Sequence, residues 1–241
     1  MPHTALFFSQ QLTFTPHTDL SVNPDAKIDV YLFNSNTIDS EQLTALAEQY
    51  LHPYEQVIFT KRKQLQAKQE YLASRFIIKS YASQCLGYDF ESLYVLFADK
   101  ETCLKIYHQN EVISLHSCIS HSRGQVLIAL AATSQALKLG VDLEWISTKR
   151  SLEKIAKHYY HGEELRACMA QTELVSEEMN KAVYSKALYR IWTLKEALAK
   201  AIKQPIAKLL RDNVFDHCQP LHVQSACYTS AYEDCKEEFD I

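Results

Sequence analysis

The chain of 241 residues is short of glycine, with four in all. Neither common glycine-rich phosphate loop can be built from so few, so any phosphate site must be made from side chains. Paired cysteines are missing too. The seven cysteines are dispersed without a C-x-x-C pair, which reads as reduced thiols in a cytoplasmic protein rather than a disulfide frame or zinc knuckle. Long apolar runs are absent. Residues 5–8 are too few to span a bilayer and lack the basic flank of a signal peptide, so no membrane partner is expected. Nor is there an excess of positive charge. The formal net charge is −4, and residues 231–241 hold Glu233, Asp234, Glu237, Glu238 and Asp240 against Lys236, which accounts for all of it. The rest of the chain is formally neutral. Nucleic acid is therefore not an expected partner, and any anion site must be local.

What is present is ordinary globular material, 47% apolar and 22% charged, long enough for one or two domains with a real core. Residues 1–26 are polar and suggest no chemistry. Residues 28–33 alternate and predict a first strand, and Asp39 or Ser40 is placed to cap a helix through about Tyr50 that Pro53 ends. Residues 61–84 predict one long helix without Gly or Pro, with an apolar stripe of Leu65, Leu72, Phe76 and Ile77, a basic solvated side and a stop at Gly87. Residues 92–97 and 111–115 predict short strands, and the apolar run 126–132 a buried one. After a connection at 134–139, a strand at 140–144 opens the second half. Helices follow from Ser151 and over about 180–203, closed by Pro205, with short strands expected near 214–215, 221–225 and 227–230.

Two stretches carry the chemistry. In Gly140-Val141-Asp142-Leu143-Glu144 alternation puts Asp142 and Glu144 on one strand face, about 6.6 Å apart along it, close enough for both to lean toward one cation. In Trp192-Thr193-Leu194-Lys195-Glu196-Ala197-Leu198-Ala199-Lys200, helical spacing puts Glu196 and Lys200 on one face. Three carboxylates and an ammonium make a site for Mg²⁺ and a diphosphate. Lys195 points elsewhere on that helix, and Trp192 reads as a core anchor.

These stretches resemble the paired signatures G-[IV]-D-x-E and W-[ST]-x-K-E-A-x-x-K of the Sfp-type 4′-phosphopantetheinyl transferases. Two further stretches fit that resemblance. Lys68-Gln69-Glu70-Tyr71-Leu72-Ala73-Ser74-Arg75 is similar to K-x-E-[FY]-L-A-x-R, and Ile119-Ser120-His121-Ser122-Arg123-Gly124 to S-[LI]-S-H-S-x-G. One family element is missing: where relatives carry Gly-Lys-Pro or Gly-x-Pro, this chain has Ala98-Asp99-Lys100-Glu101-Thr102-Cys103.

The resemblance implies an α+β fold of two pseudo-symmetric halves, each a small mainly antiparallel sheet packed on a long helix. The halves would be 1–138, with the coenzyme A phosphate contacts, and 139–241, with the metal site and catalytic helix. It implies transfer of 4′-phosphopantetheine from coenzyme A to a serine of an apo acyl or peptidyl carrier protein, releasing adenosine 3′,5′-bisphosphate, by a cytoplasmic monomer using Mg²⁺ or Mn²⁺. Asp142, Glu144 and Glu196 would bind the metal. Glu196, Lys200 and Glu164 (with Glu163 as the neighbour that could be mistaken for it) would be catalytic. Lys61, Lys68, Arg75, Ser120, His121 and Lys200 would hold coenzyme A. Two rivals remain: a non-catalytic carrier-protein or coenzyme A binding module, and another metal-dependent phosphodiester enzyme.

Overall fold

The computed structural model describes residues 10–14, 28–97, 104–134, 136–146, 152–171, 177–218 and 226–228. Its largest sheet is antiparallel, with strands β1 (Gln10–Phe14), β2 (Ile28–Asn34), β7 (Gln125–Ala132) and β6 (Leu115–Ser122) side by side in that order. β1 was not expected from the polar first residues. A smaller antiparallel sheet holds β3 (Leu93–Phe97), β4 (Leu104–His108) and β5 (Glu111–Val112). In the C-terminal half, β8 (Leu143–Trp145) pairs in parallel with β9 (Ala226–Tyr228).

The alternation along β7 shows why it reads as uninterrupted apolar sequence. Val126, Ile128 and Leu130 face one core, while Leu127 and Ala129 face another. The first core lies under helices α1 (Leu43–Tyr50), α2 (Pro53–Lys61) and α3 (Leu65–Leu86). On the opposite face, Val30, Leu127 and Ala129 meet Val141 and Leu143, so the sheet's second side is the seam with the C-terminal half. That half has its own core, built around α4 (Leu152–Tyr159), α5 (Gly162–Ala170), α6 (Glu177–Ile202), α7 (Ile206–Leu209) and α8 (Phe215–Cys218).

The helix expected over 61–84 is two. Lys61 is the last residue of α2, Pro53 begins α2 instead of merely following α1, and α3 starts at Leu65. α3 is also not amphipathic in the expected sense. Leu65 is half exposed, whereas Arg75 and Lys79 are buried. From Gln69 to Lys79 the helix is buried all round, so its charges there are matched inside: Lys79 Nζ lies 3.6 Å from Glu55 Oε2 and donates to the Tyr50 carbonyl at 2.8 Å. Gly87 ends α3 in the left-handed region at φ 74°, as expected.

In the C-terminal half, Tyr160 rather than the exposed Tyr159 enters the core. Phe215 begins a short helix where a strand was expected. The strand expected at 221–225, the substituted 98–103 element and the acidic end lie outside the described residues. No helix among the described residues is long and apolar enough to cross a membrane.

Candidate active site

The strand expected over 140–144 is β8, which begins only at Leu143; the residues just before it meet α6 where the two backbones nearly touch. A Cβ at Gly140 would run into the Ala197 carbonyl oxygen, so only glycine lets the acidic stretch lie against this turn of α6. Its backbone φ is not in the left-handed region, so the role of Gly140 is close approach to the helix. Leu188, Tyr189, Ile191, Trp192 and Leu198 bury the other faces of α6. At roughly 1.5–3 kcal/mol for each large apolar side chain, that burial fixes the helix rotation and turns Glu196 and Lys200 toward β8.

The acidic stretch is held to β6 in an unusual way. The N–H groups of Val141, Leu143 and Trp145 donate to Cys118 Sγ at 3.3 Å, Ser120 Oγ at 3.1 Å and Ser122 Oγ at 3.1 Å. Every second residue of the acidic stretch thus binds every second side chain of β6. Burial pushes the Cys118 thiol above its ordinary range, which keeps it protonated and uncharged at neutral pH.

A pocket of about 330 Å³ opens at this seam, lined by Ile119, Ser120, His121, Asp142, Leu143, Glu144, Glu196 and Lys200. Lys200 Nζ donates to Asp142 Oδ1 at 2.7 Å, Ser120 Oγ at 3.0 Å and the Val141 carbonyl at 3.1 Å. Ser120 Oγ donates in turn to Asp142 Oδ1 at 2.8 Å. Glu144 Oε1 accepts from Trp192 Nε1 at 3.0 Å. Trp192 is therefore both a core anchor and the orienting partner of an acid.

The three expected metal ligands line one pocket without closing on a common point. Among the described residues, no group of three or more His, Cys, Asp or Glu side chains is gathered closely enough to hold a metal ion. Lys200 and Trp192 already hold one oxygen each of Asp142 and Glu144. Even so, the donor set suits a hard cation. Asp142 is 5% exposed and its Oδ2 has no hydrogen-bond partner, an arrangement that costs free energy unless something positive binds there.

Two other expectations fare differently. Glu164 is fully buried, closes the capping box of α5 by accepting from the N–H of the N-cap His161 at 2.9 Å, accepts from the Val214 N–H at 2.7 Å, and pairs with buried Lys195 at 2.8 Å. It does not line the pocket, because its side of the first turn of α5 faces the core. Glu163, its neighbour, is exposed and binds Asn213. The expected phosphate contacts Lys61, Lys68 and Arg75 do not line the pocket either. Lys61 is exposed at the end of α2, Lys68 sits over the Phe59 ring, and Arg75 is buried against Tyr71 and Ser74.

Sequence reasoning missed Glu70, Cys118 and Ser122 as parts of the site's framework. Signals existed: a glutamate inside an otherwise basic helix segment, and small polar residues alternating at 118, 120 and 122.

Residues 138–239 match the family model of the 4′-phosphopantetheinyl transferase superfamily, and over this stretch the chain is similar to that superfamily. The 4′-phosphopantetheinyl transferase HetI of Nostoc sp. is 31% identical over 91 residues. That match spans 38% of this chain and 34% of HetI, so about a third of the relative's length is covered.

Proposed function

We propose that the protein transfers the 4′-phosphopantetheine moiety of coenzyme A to a serine of an apo carrier protein, with release of adenosine 3′,5′-bisphosphate. The observation that carries this reading is the seam pocket, where Ser120 and His121 from one half face Asp142, Glu144, Glu196 and Lys200 from the other. An anionic diphosphate needs positive charge and fixed donors, and the acids need a cation to share with it. Asp142, Glu144 and Glu196 would hold Mg²⁺, or Mn²⁺ in its place, and the bound ion would neutralise charge on the diphosphate oxygens. In this reading the 1–138 half contributes coenzyme A contacts and the 139–241 half the metal site. The serine oxygen bonds to the β-phosphorus as the bond from that phosphorus to the bridging oxygen breaks, and the electron pair leaves with the nucleotide phosphate. Lys200 is the fixed cation beside that region. With Glu164 in the core, the serine proton goes to a group that lines the pocket. Lys61 and Lys68 remain as outlying phosphate contacts, and Arg75 is left out because its guanidinium is buried on Tyr71. Positioning and electrostatics supply most of the acceleration, as in other phosphoryl transfers.

The test is direct. Purified protein, coenzyme A, Mg²⁺ and a panel of apo acyl and peptidyl carrier proteins are incubated, and each carrier is weighed by mass spectrometry. A gain of one phosphopantetheine on the serine supports the proposal. Coenzyme A binding with every carrier unmodified would instead favour a non-catalytic binding module.

A further inference from the structure

Glu70 lies on α3, inside the stretch expected to bind phosphate through its lysine and arginine, yet the structure gives the glutamate a different neighbour. Its side chain is 8% exposed, and Oε2 lies 2.9 Å from Nδ1 of His121, which is 58% exposed and lines the pocket. The other oxygen, Oε1, accepts from the Gly124 N–H at 2.9 Å and from Gln66 Nε2 at 2.7 Å. Gly124 forms the tight turn between β6 and β7 together with Arg123, both in the left-handed region at φ 82° and 50°. The carboxylate is thus pinned from three directions, by its own helix, by the hairpin tip and by the imidazole.

A carboxylate can only accept, so the ring nitrogen facing it must carry the proton. We infer that Glu70 is a positioning residue: its buried carboxylate fixes the Nδ1–H form and ring orientation of His121, reserving Nε2 for a phosphate oxygen in the pocket. The inference deepens the proposed function and rests on it for the identity of the ligand. The orientation of His121 itself stands on the geometry alone. A buried carboxylate behind a pocket histidine plays the part that outer partners play for metal-bound histidines, setting which nitrogen is presented and holding the ring still.

A purely structural Glu70 would do no more than hold the hairpin tip through Gly124. Two measurements separate the cases. The first is ¹⁵N NMR of the His121 ring in the free protein at a pH where the ring is neutral, for the unaltered chain and for Glu70→Ala. The unaltered chain should show the Nδ1-protonated form alone, and Glu70→Ala a mixture of both forms. Mixed forms in the unaltered chain would overturn the inference. The second is a double-mutant cycle on coenzyme A with Glu70→Ala, His121→Asn and the pair. Each single variant should raise KM about tenfold while lowering kcat less, and the pair should be no worse than His121→Asn alone. Additive losses would assign Glu70 to the hairpin only. Glu70→Gln, which keeps an acceptor for Gly124, serves if Glu70→Ala fails to fold. If coenzyme A does not bind at all, the function reading fails, while the ring spectra still decide whether Glu70 sets His121.

Discussion

In the N-terminal half, His52 caps α2 by accepting from the Tyr54 N–H, and Glu55 accepts from the His52 N–H at 2.9 Å and the Val95 N–H at 2.8 Å. In the C-terminal half, His161 accepts from the Glu163 N–H, and Glu164 accepts from the His161 N–H at 2.9 Å and the Val214 N–H at 2.7 Å. Both glutamates are fully buried and each faces a buried lysine on its half's long helix, Lys79 on α3 and Lys195 on α6. Each lysine also donates to backbone carbonyls, Tyr50 for Lys79 and Leu209 and Leu210 for Lys195. An aromatic ring three residues before each lysine, Phe76 or Trp192, is buried in its half's core. The halves repeat one framework. They part at the next turn of helix: one and five residues beyond the lysine stand Ser80 and Gln84 in the first half, and Glu196 and Lys200 in the second. Buried Asp29 accepts from the neutral Tyr81 hydroxyl, while buried Asp142 takes the Lys200 ammonium and keeps Oδ2 without a hydrogen-bond partner. A shared buried Glu–Lys staple is thus followed by charged side chains in one half and by neutral ones in the other.

The largest effect should come from the two aspartates. Asp142→Ala is expected to lower carrier modification by about 10²–10³-fold or more, the scale of one pre-organised electrostatic group, with circular dichroism unchanged. Asp29→Asn should lower the melting temperature and leave most of the modification rate. A comparable loss of rate from both would break the contrast between the two buried aspartates.

The buried staples come next. Lys79→Met and Lys195→Met each strand a buried glutamate, and each should cost about 3–5 kcal/mol in urea unfolding. Matching costs would sharpen the comparison. Glu164→Gln should likewise act on stability and leave the pH–rate profile in place. A variant that folds as well as the unaltered chain but loses the rate-determining base would return Glu164 to the catalytic role its sequence position suggested.

Much of this was legible in the order of residues. Asp142 with Glu144, and Glu196 with Lys200, could each be put on one face because a period of two on a strand and of four on a helix is a geometric statement, and the resemblance brought the two pairs to one place. β7 could be read as buried because nothing over residues 126–132 is polar. The break between α2 and α3 carries neither Gly nor Pro, so nothing local announced it. The basic run on α3 was misread for a deeper reason: Lys79 and Arg75 look solvated until Glu55 and the Tyr71 ring are known to lie beside them. Glu164 was misplaced the same way, since an acid in a first helical turn has the same sequence whether that turn faces solvent or core.

A smaller effect should follow from the side-chain ladder between β6 and the acidic stretch. Ser120→Ala removes an acceptor for the Leu143 N–H and a partner of both Asp142 and Lys200, leaving a buried donor unmet at about 1–3 kcal/mol. Carrier modification should fall with it, by less than in Asp142→Ala. Ser122→Ala, farther from Asp142, should cost stability and little rate.

The finest test sets two buried glutamates of the same half against each other by pH. Burial alone would raise the pKa of Glu70, but the hydrogen bonds from His121, Gln66 and the Gly124 N–H outweigh it and hold the carboxyl below its ordinary value. Glu55 goes the other way, raised by burial in spite of Lys79. A depressed carboxyl binds fewer protons folded than unfolded, so the stability Glu70 contributes is present above its unfolded pKa and lost as pH falls through the folded one. A raised carboxyl binds more protons folded, so the contribution of Glu55 is present below its unfolded pKa and lost as pH rises through the folded one. Urea unfolding followed from pH of about 6 down to about 3.5 should therefore show a shallower acid decline in Glu70→Gln than in the unaltered chain, and a steeper one in Glu55→Gln. Equal slopes for all three would mean that neither carboxyl titrates differently on folding, and that the contrast between a hydrogen-bonded acid behind the pocket and a core staple does not govern this half's response to acid.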